Sequence, residues 1–96
     1  MKSATLKSIQ IGDLYVNTQS HNGSMHTTIG RACNFTKNGV TLDECVRISF
    51  TYGNTDNPKI TKTEKKVNFS KSSLVEYGDV ENYNLLVLKA NVNLQN

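Results

Sequence analysis

Between Met25 and Tyr52 two runs of alternating apolar residues flank Asn38-Gly39. Both residues of that dipeptide tolerate positive φ, so it suits the type I′ turn of a β-hairpin. A turn centred there pairs Phe35 with Leu42, Ile29 with Ile48 and Met25 with Tyr52 on one face. The same register sends His26 with Thr51, Thr28 with Ser49, Gly30 with Arg47 and Asn34 with Asp43 to the other face, a polar set suited to solvent or a ligand. It also sets Arg31 against Val46 and Cys33 against Glu44 on the apolar face, which points to a β-bulge near Gly30 or Asp43-Glu44. One long hairpin of this kind commits the chain to antiparallel sheet.

The rest of the chain agrees. Valine, isoleucine and threonine make 23 of the 96 residues and alanine only three; β-branched side chains suit a pleated surface better than a helix. The length and the absence of a composition shift define a single domain, residues 1–96. Its core is small, since apolar residues including glycine fall below the usual share of roughly 45–50%. The longest aliphatic run, Leu85 to Leu88, is far too short for a membrane span. Lys7, Gln10 and Asp13 interrupt the N-terminal stretch where a signal peptide needs an unbroken apolar segment.

Ahead of the hairpin, apolar parity changes at Gly12-Asp13, which requires either a turn or a glycine bulge, and Ser20 to Ser24 reads as a loop. Gly53 to Pro58 reads as a second loop. Lys59 to Phe69 reads as a polar edge strand, with Ile60, Val67 and Phe69 turned to the core. Ser70 to Gly78 carries a capping-box pair, Ser73 with Glu76, and places Leu74 and Tyr77 on one helical face before Gly78. Tyr83 to Leu94 reads as the central strand: Leu86, Leu88, Ala90, Val92 and Leu94 line one face, and Leu85 and Val87 add apolar character to the other. The expected fold is therefore mainly β, a single compact antiparallel twisted sheet or small barrel with one short helix near residues 70–77. This order resembles the oligonucleotide-binding barrel in size and in its kinked first strand. The helix, however, follows the fourth strand rather than the third, and no binding residues are carried over.

The chemistry-bearing residues are sparse. His21, His26, Cys33 and Cys45 lack the close Cys-x-x-Cys pairing of structural zinc sites, so neither a metal nor another cofactor is expected. In the register above Cys33 and Cys45 leave opposite faces and cannot form a disulfide. They are expected to be free thiols, Cys33 in the core and Cys45 exposed, in a cytoplasmic setting. No Walker loop, dinucleotide fingerprint or nucleophile elbow occurs, which points away from an enzyme.

The net charge of +3 favours anionic partners slightly. Five lysines, Lys59, Lys62, Lys65, Lys66 and Lys71, crowd residues 58–71, with Phe69 the single aromatic among them. These lysines, with His26 and Arg47 on the polar hairpin face, are the candidate contact residues. The expected function is an inhibitor or adaptor acting by contact with another protein or protein complex, of the size found among phage and mobile-element accessory proteins. The alternative is a nucleic-acid-binding module using the basic segment.

Overall fold

The computed structural model describes residues 9–51, 54–63 and 65–95. Six strands form one antiparallel sheet: β1 (Leu14–His21), β2 (Ser24–Thr36), β3 (Gly39–Thr51), β4 (Asn54–Thr63), β5 (Val67–Ser70) and β6 (Val75–Glu76). The order is β4-β3-β2-β1-β6, with β5 on the same edge of β3 as β4, and the sheet stays open rather than closing into a barrel. A 3₁₀ turn at Lys71–Ser73 leads from β5 to β6, and a 16-residue helix, α1 (Val80–Gln95), follows β6.

The long hairpin is β2 with β3, but its register differs by two residues from the one expected. Phe35 lies opposite Val40, Ile29 opposite Val46 and Met25 opposite Phe50; Tyr52, the expected partner of Met25, lies outside the described residues. The turn is Lys37-Asn38, and neither Asn38 nor Gly39 has positive φ. Gly39 is already in the ladder opposite Thr36, where a Cβ would lie 2.1 Å from the Phe69 carbonyl oxygen of β5. It serves a close backbone approach, not a turn. A shift of two by itself preserves facing, because strand side chains alternate with period two, so Ile29 and Ile48 stay together, but Leu42, expected on their face, lies in the opposite core. The type I′ pattern occurs instead at Asn22-Gly23, with φ of 45° and 84°, closing β1 onto β2 in the stretch expected to be a loop.

The expected bulge is present. Ile29 pairs with Val46 and Arg31 with Asp43, so Glu44 and Cys45 together face Gly30, with Glu44 at φ 54°. A second irregularity at Cys33 restores the register. The first bulge switches the facing of β3 and gives the sheet a core on each side. Tyr15, Ala32, Val40, Leu42, Cys45 and Leu74 form one, with Val67 and Phe69 packed against it. Leu14, Ile29, Val46, Tyr83 and Leu86 form the other beneath α1, with Ile60 and Tyr77 at its margin. Both cysteines are free, but their burial is the reverse of that expected: Cys45 is fully buried and Cys33 only half-buried.

That burial, helped by nearby Asp43 and Cys33, pushes the Cys45 thiol up to about 11 from an ordinary 9.0. A pKa raised by folding means that folding favours the neutral thiol. Its contribution is complete below pH 9 and is lost as pH rises through about 11. The unfolding midpoint should therefore fall across that window. Native alkylation should label Cys33 first and Cys45 only with unfolding, as peptide mass spectrometry would show.

Other elements depart from the sequence expectation in ways the packing explains. Of the two alternatives at Gly12-Asp13 the chain takes the turn, over Ile11-Gly12: the Asp13 N–H donates to the Gln10 carbonyl at 3.2 Å, with Gly12 at φ 100°. Backbone of residues 54–57 belongs to β4 rather than to a loop, while Gly53 and Glu64 lie outside the described residues. No α-helix forms near 70–77 beyond the 3₁₀ turn. Leu74 is extended and enters one core, while Tyr77 packs at the margin of the other. The expected central strand, Tyr83 to Leu94, is α1. Asp79 caps it by accepting the Asn82 N–H at 3.0 Å, and Tyr83, Leu86, Val87 and Ala90 give it an inner face at helical spacing.

The Tyr83 hydroxyl donates to the Glu44 carbonyl at 2.6 Å, tying the helix to the bulge. Tyr83→Phe should cost about 1 kcal/mol in urea denaturation, because the bulge carbonyl loses its partner at a partly buried position.

Candidate functional site

Two surfaces combine unusual side chains with room for a partner. The first is the outer side of α1. Leu85, Leu88 and Val92, spaced by three and four residues, form an apolar stripe, with exposures of 55, 61 and 57%. The stripe lies about 180° around the helix from Tyr83, Leu86 and Ala90, which are buried on the sheet. Helix α1 packs chiefly on β4, the edge strand. Between them runs a groove of about 380 Å³ lined by Pro58, Ile60, Leu88, Lys89 and Val92. Pro58 fits this edge because its missing N–H would break a central ladder. Lys62, two residues beyond Ile60 on the same strand face, and Lys89 make the surroundings basic.

The second surface is a cleft of about 310 Å³ on the sheet face away from the helix. It is lined by Asn17, Gln19, His26, Thr28, Arg47, Thr63, Val67, Asn68 and Phe69. It brings together the two hairpin candidates, His26 and Arg47. His26 sits opposite Ser49 and shares a 2.8 Å hydrogen bond between Nδ1 and the Ser49 hydroxyl, and Arg47 sits opposite Thr28. Sequence reasoning had these residues on one polar face but missed Asn17 and Gln19, although their polarity alternates with Leu14 and Val16 along β1. It also gave Val67 and Phe69 a core role.

The five lysines do not gather on one surface. Lys59 is exposed at the β4 edge, on the face opposite to half-buried Lys62, and Lys65 and Lys66 are exposed between β4 and β5. Lys71 lies on the 3₁₀ turn, its Nζ 5.4 Å from the centroid of the half-exposed Phe35 ring. Among the described residues no three His, Cys, Asp or Glu side chains come together to hold a metal ion. No described helix is long and apolar enough to cross a membrane. No protein family, curated protein or solved structure matches the chain.

Proposed function

We propose that this chain is a small non-enzymatic binding protein, an inhibitor or adaptor of the phage or mobile-element accessory type, whose partner protein docks on the outer side of α1. The observation that carries this reading is the second apolar face of the helix. A surface helix needs one apolar stripe to hold it to its sheet. Leu85, Leu88 and Val92 form another stripe that nothing in the chain covers among the described residues, and it continues into the groove at Pro58 and Ile60. Lys89 and Lys62 flank the groove, so the fitting partner is an amphipathic helix with apolar anchors at helical spacing and carboxylates beside them. Free thiols suit a reducing cytoplasm.

Selection from a displayed library of random 16-residue peptides tests this. The wild-type chain should enrich acidic amphipathic sequences that a Leu85→Glu/Leu88→Glu chain does not retain. Enrichment of peptides that both chains bind equally would overturn the reading.

The alternative, a nucleic-acid module built on Lys59, Lys62, Lys65, Lys66 and Lys71, predicts single-strand binding that weakens steeply with salt. Its log–log slope would be about −0.7 per phosphate neutralised. With these lysines divided between faces, fluorescence anisotropy should find only weak binding even at low salt. Submicromolar, salt-sensitive binding abolished by Lys62→Glu/Lys66→Glu would promote the alternative.

A further inference from the structure

The cleft on the open sheet face plays no part in docking on α1, yet it has the composition of a built site. Its floor holds two polar residues that are almost wholly buried, Asn17 at 4% and Thr28 at 7% exposure. The Asn17 amide donates to the Ser73 carbonyl at 3.0 Å, which fixes the side chain, while its Oδ1 has no hydrogen-bond partner among the described residues. The Thr28 hydroxyl likewise has none. Neither atom is sealed from solvent, since no buried side-chain oxygen or nitrogen is left unsatisfied. Both therefore present hydrogen-bonding capacity to the cleft, an arrangement that folding alone does not call for.

Above this floor stands Arg47, the one charged side chain that lines the cleft among the described residues and without an ion-pair partner among them. The ring of His26, held at Nδ1 by Ser49, leaves Nε2 available beside it. Among the described residues no carboxylate lines the cleft, and Val67 and Phe69 supply an apolar wall.

We propose that this cleft binds a small organic anion. Its carboxylate or phosphate head engages the Arg47 guanidinium and the Thr28 hydroxyl, and its apolar ring or short chain lies against Val67 and Phe69. A guanidinium presents paired donors to either head group, and a cleft of about 310 Å³ is at the small end of ligand sites.

The test is an amide NMR titration of the intact chain with phenyl phosphate, benzoate, inorganic phosphate and benzyl alcohol. Phenyl phosphate or benzoate should shift the amides of Asn17, Thr28, Arg47 and Thr63 saturably and leave those of Leu85 to Val92 unmoved. Arg47→Gln, at an exposed position, should weaken that binding about tenfold or more, and the near-isosteric Thr28→Val about fivefold. Binding of inorganic phosphate as tight as phenyl phosphate would overturn the apolar half of the proposal, and equal binding of benzyl alcohol the anionic half. No saturable shift at millimolar ligand, or shifts unchanged by Arg47→Gln, would overturn it entirely.

Discussion

Gly39→Ala is expected to be among the most damaging single substitutions in the chain, costing about 3 kcal/mol or more. The added Cβ would meet the Phe69 carbonyl oxygen at 2.1 Å and its carbonyl carbon at 3.0 Å. Both are backbone atoms of β5, so no rotamer change relieves the contact. The strands must part, at the cost of the ladder from Gly39–Ser70 to Leu42–Val67 and of the packing of Val67 and Phe69. Gly12→Ala provides the contrast, since Gly12 has φ of 100° but open space around it; only conformational strain of about 1 kcal/mol opposes that change. Asn38→Ala should cost less still, because Asn38 lacks positive φ. Urea denaturation of the three variants checks the order. Equal losses at positions 38 and 39 would restore the turn to Asn38-Gly39.

The second large effect concerns recognition. Leu85→Glu/Leu88→Glu should leave stability within about 1 kcal/mol, since both side chains are more than half exposed. Affinity for a selected acidic amphipathic peptide should fall at least about a hundredfold, the equivalent of about 2.8 kcal/mol. Charge repulsion adds to lost apolar contact. Leu86→Ala reverses the pattern: Leu86 is buried against the sheet, and its truncation should cost about 2–5 kcal/mol. Calorimetry with the peptide, beside thermal melts, separates the two.

The same residues explain which parts of the structure were legible beforehand. Period-two alternation in β2 and β3 identified the hairpin and the shared face of Ile29 and Ile48 even though the register was off by two, because facing depends only on parity, but the bulge at Glu44 put Leu42 on the other side of the sheet. Two Asn-Gly dipeptides compete for the same turn geometry, and only contact with β5, remote in sequence, decides that Gly39 belongs to the ladder. Glu44 is an unfavourable residue for positive φ, and it adopts it where the Tyr83 hydroxyl and the Asp43 carboxylate hold its backbone. That bulge buried Cys45 and exposed Cys33 in part, against expectation.

Helix α1 was misread for a physical reason. Leu86, Leu88, Ala90 and Val92 satisfy period two, while Tyr83, Leu86, Val87 and Ala90 satisfy the helical period. Both fit because the helix is apolar on opposite sides, the feature on which the proposed docking rests. The Asp79 cap was a visible signal for a helix, as was a segment rich in leucine with few β-branched residues. In the candidate sites, His26, Thr28 and Arg47 were accessible from one strand pair. Asn17, Gln19 and the groove at Pro58 and Ile60 depend on tertiary placement.

Docking on α1 is tested most directly by amide NMR mapping of the complex with a selected peptide. Shifts are expected to be confined to Leu85, Leu88, Lys89 and Val92 of the helix and to the β4 residues beside them, with no change in the β3–β4 ladder and none in the cleft around Arg47. Shifts running along the outer edge of β4, with new amide protection in that strand, would mean that the partner adds to the sheet as a further strand and would contradict the account.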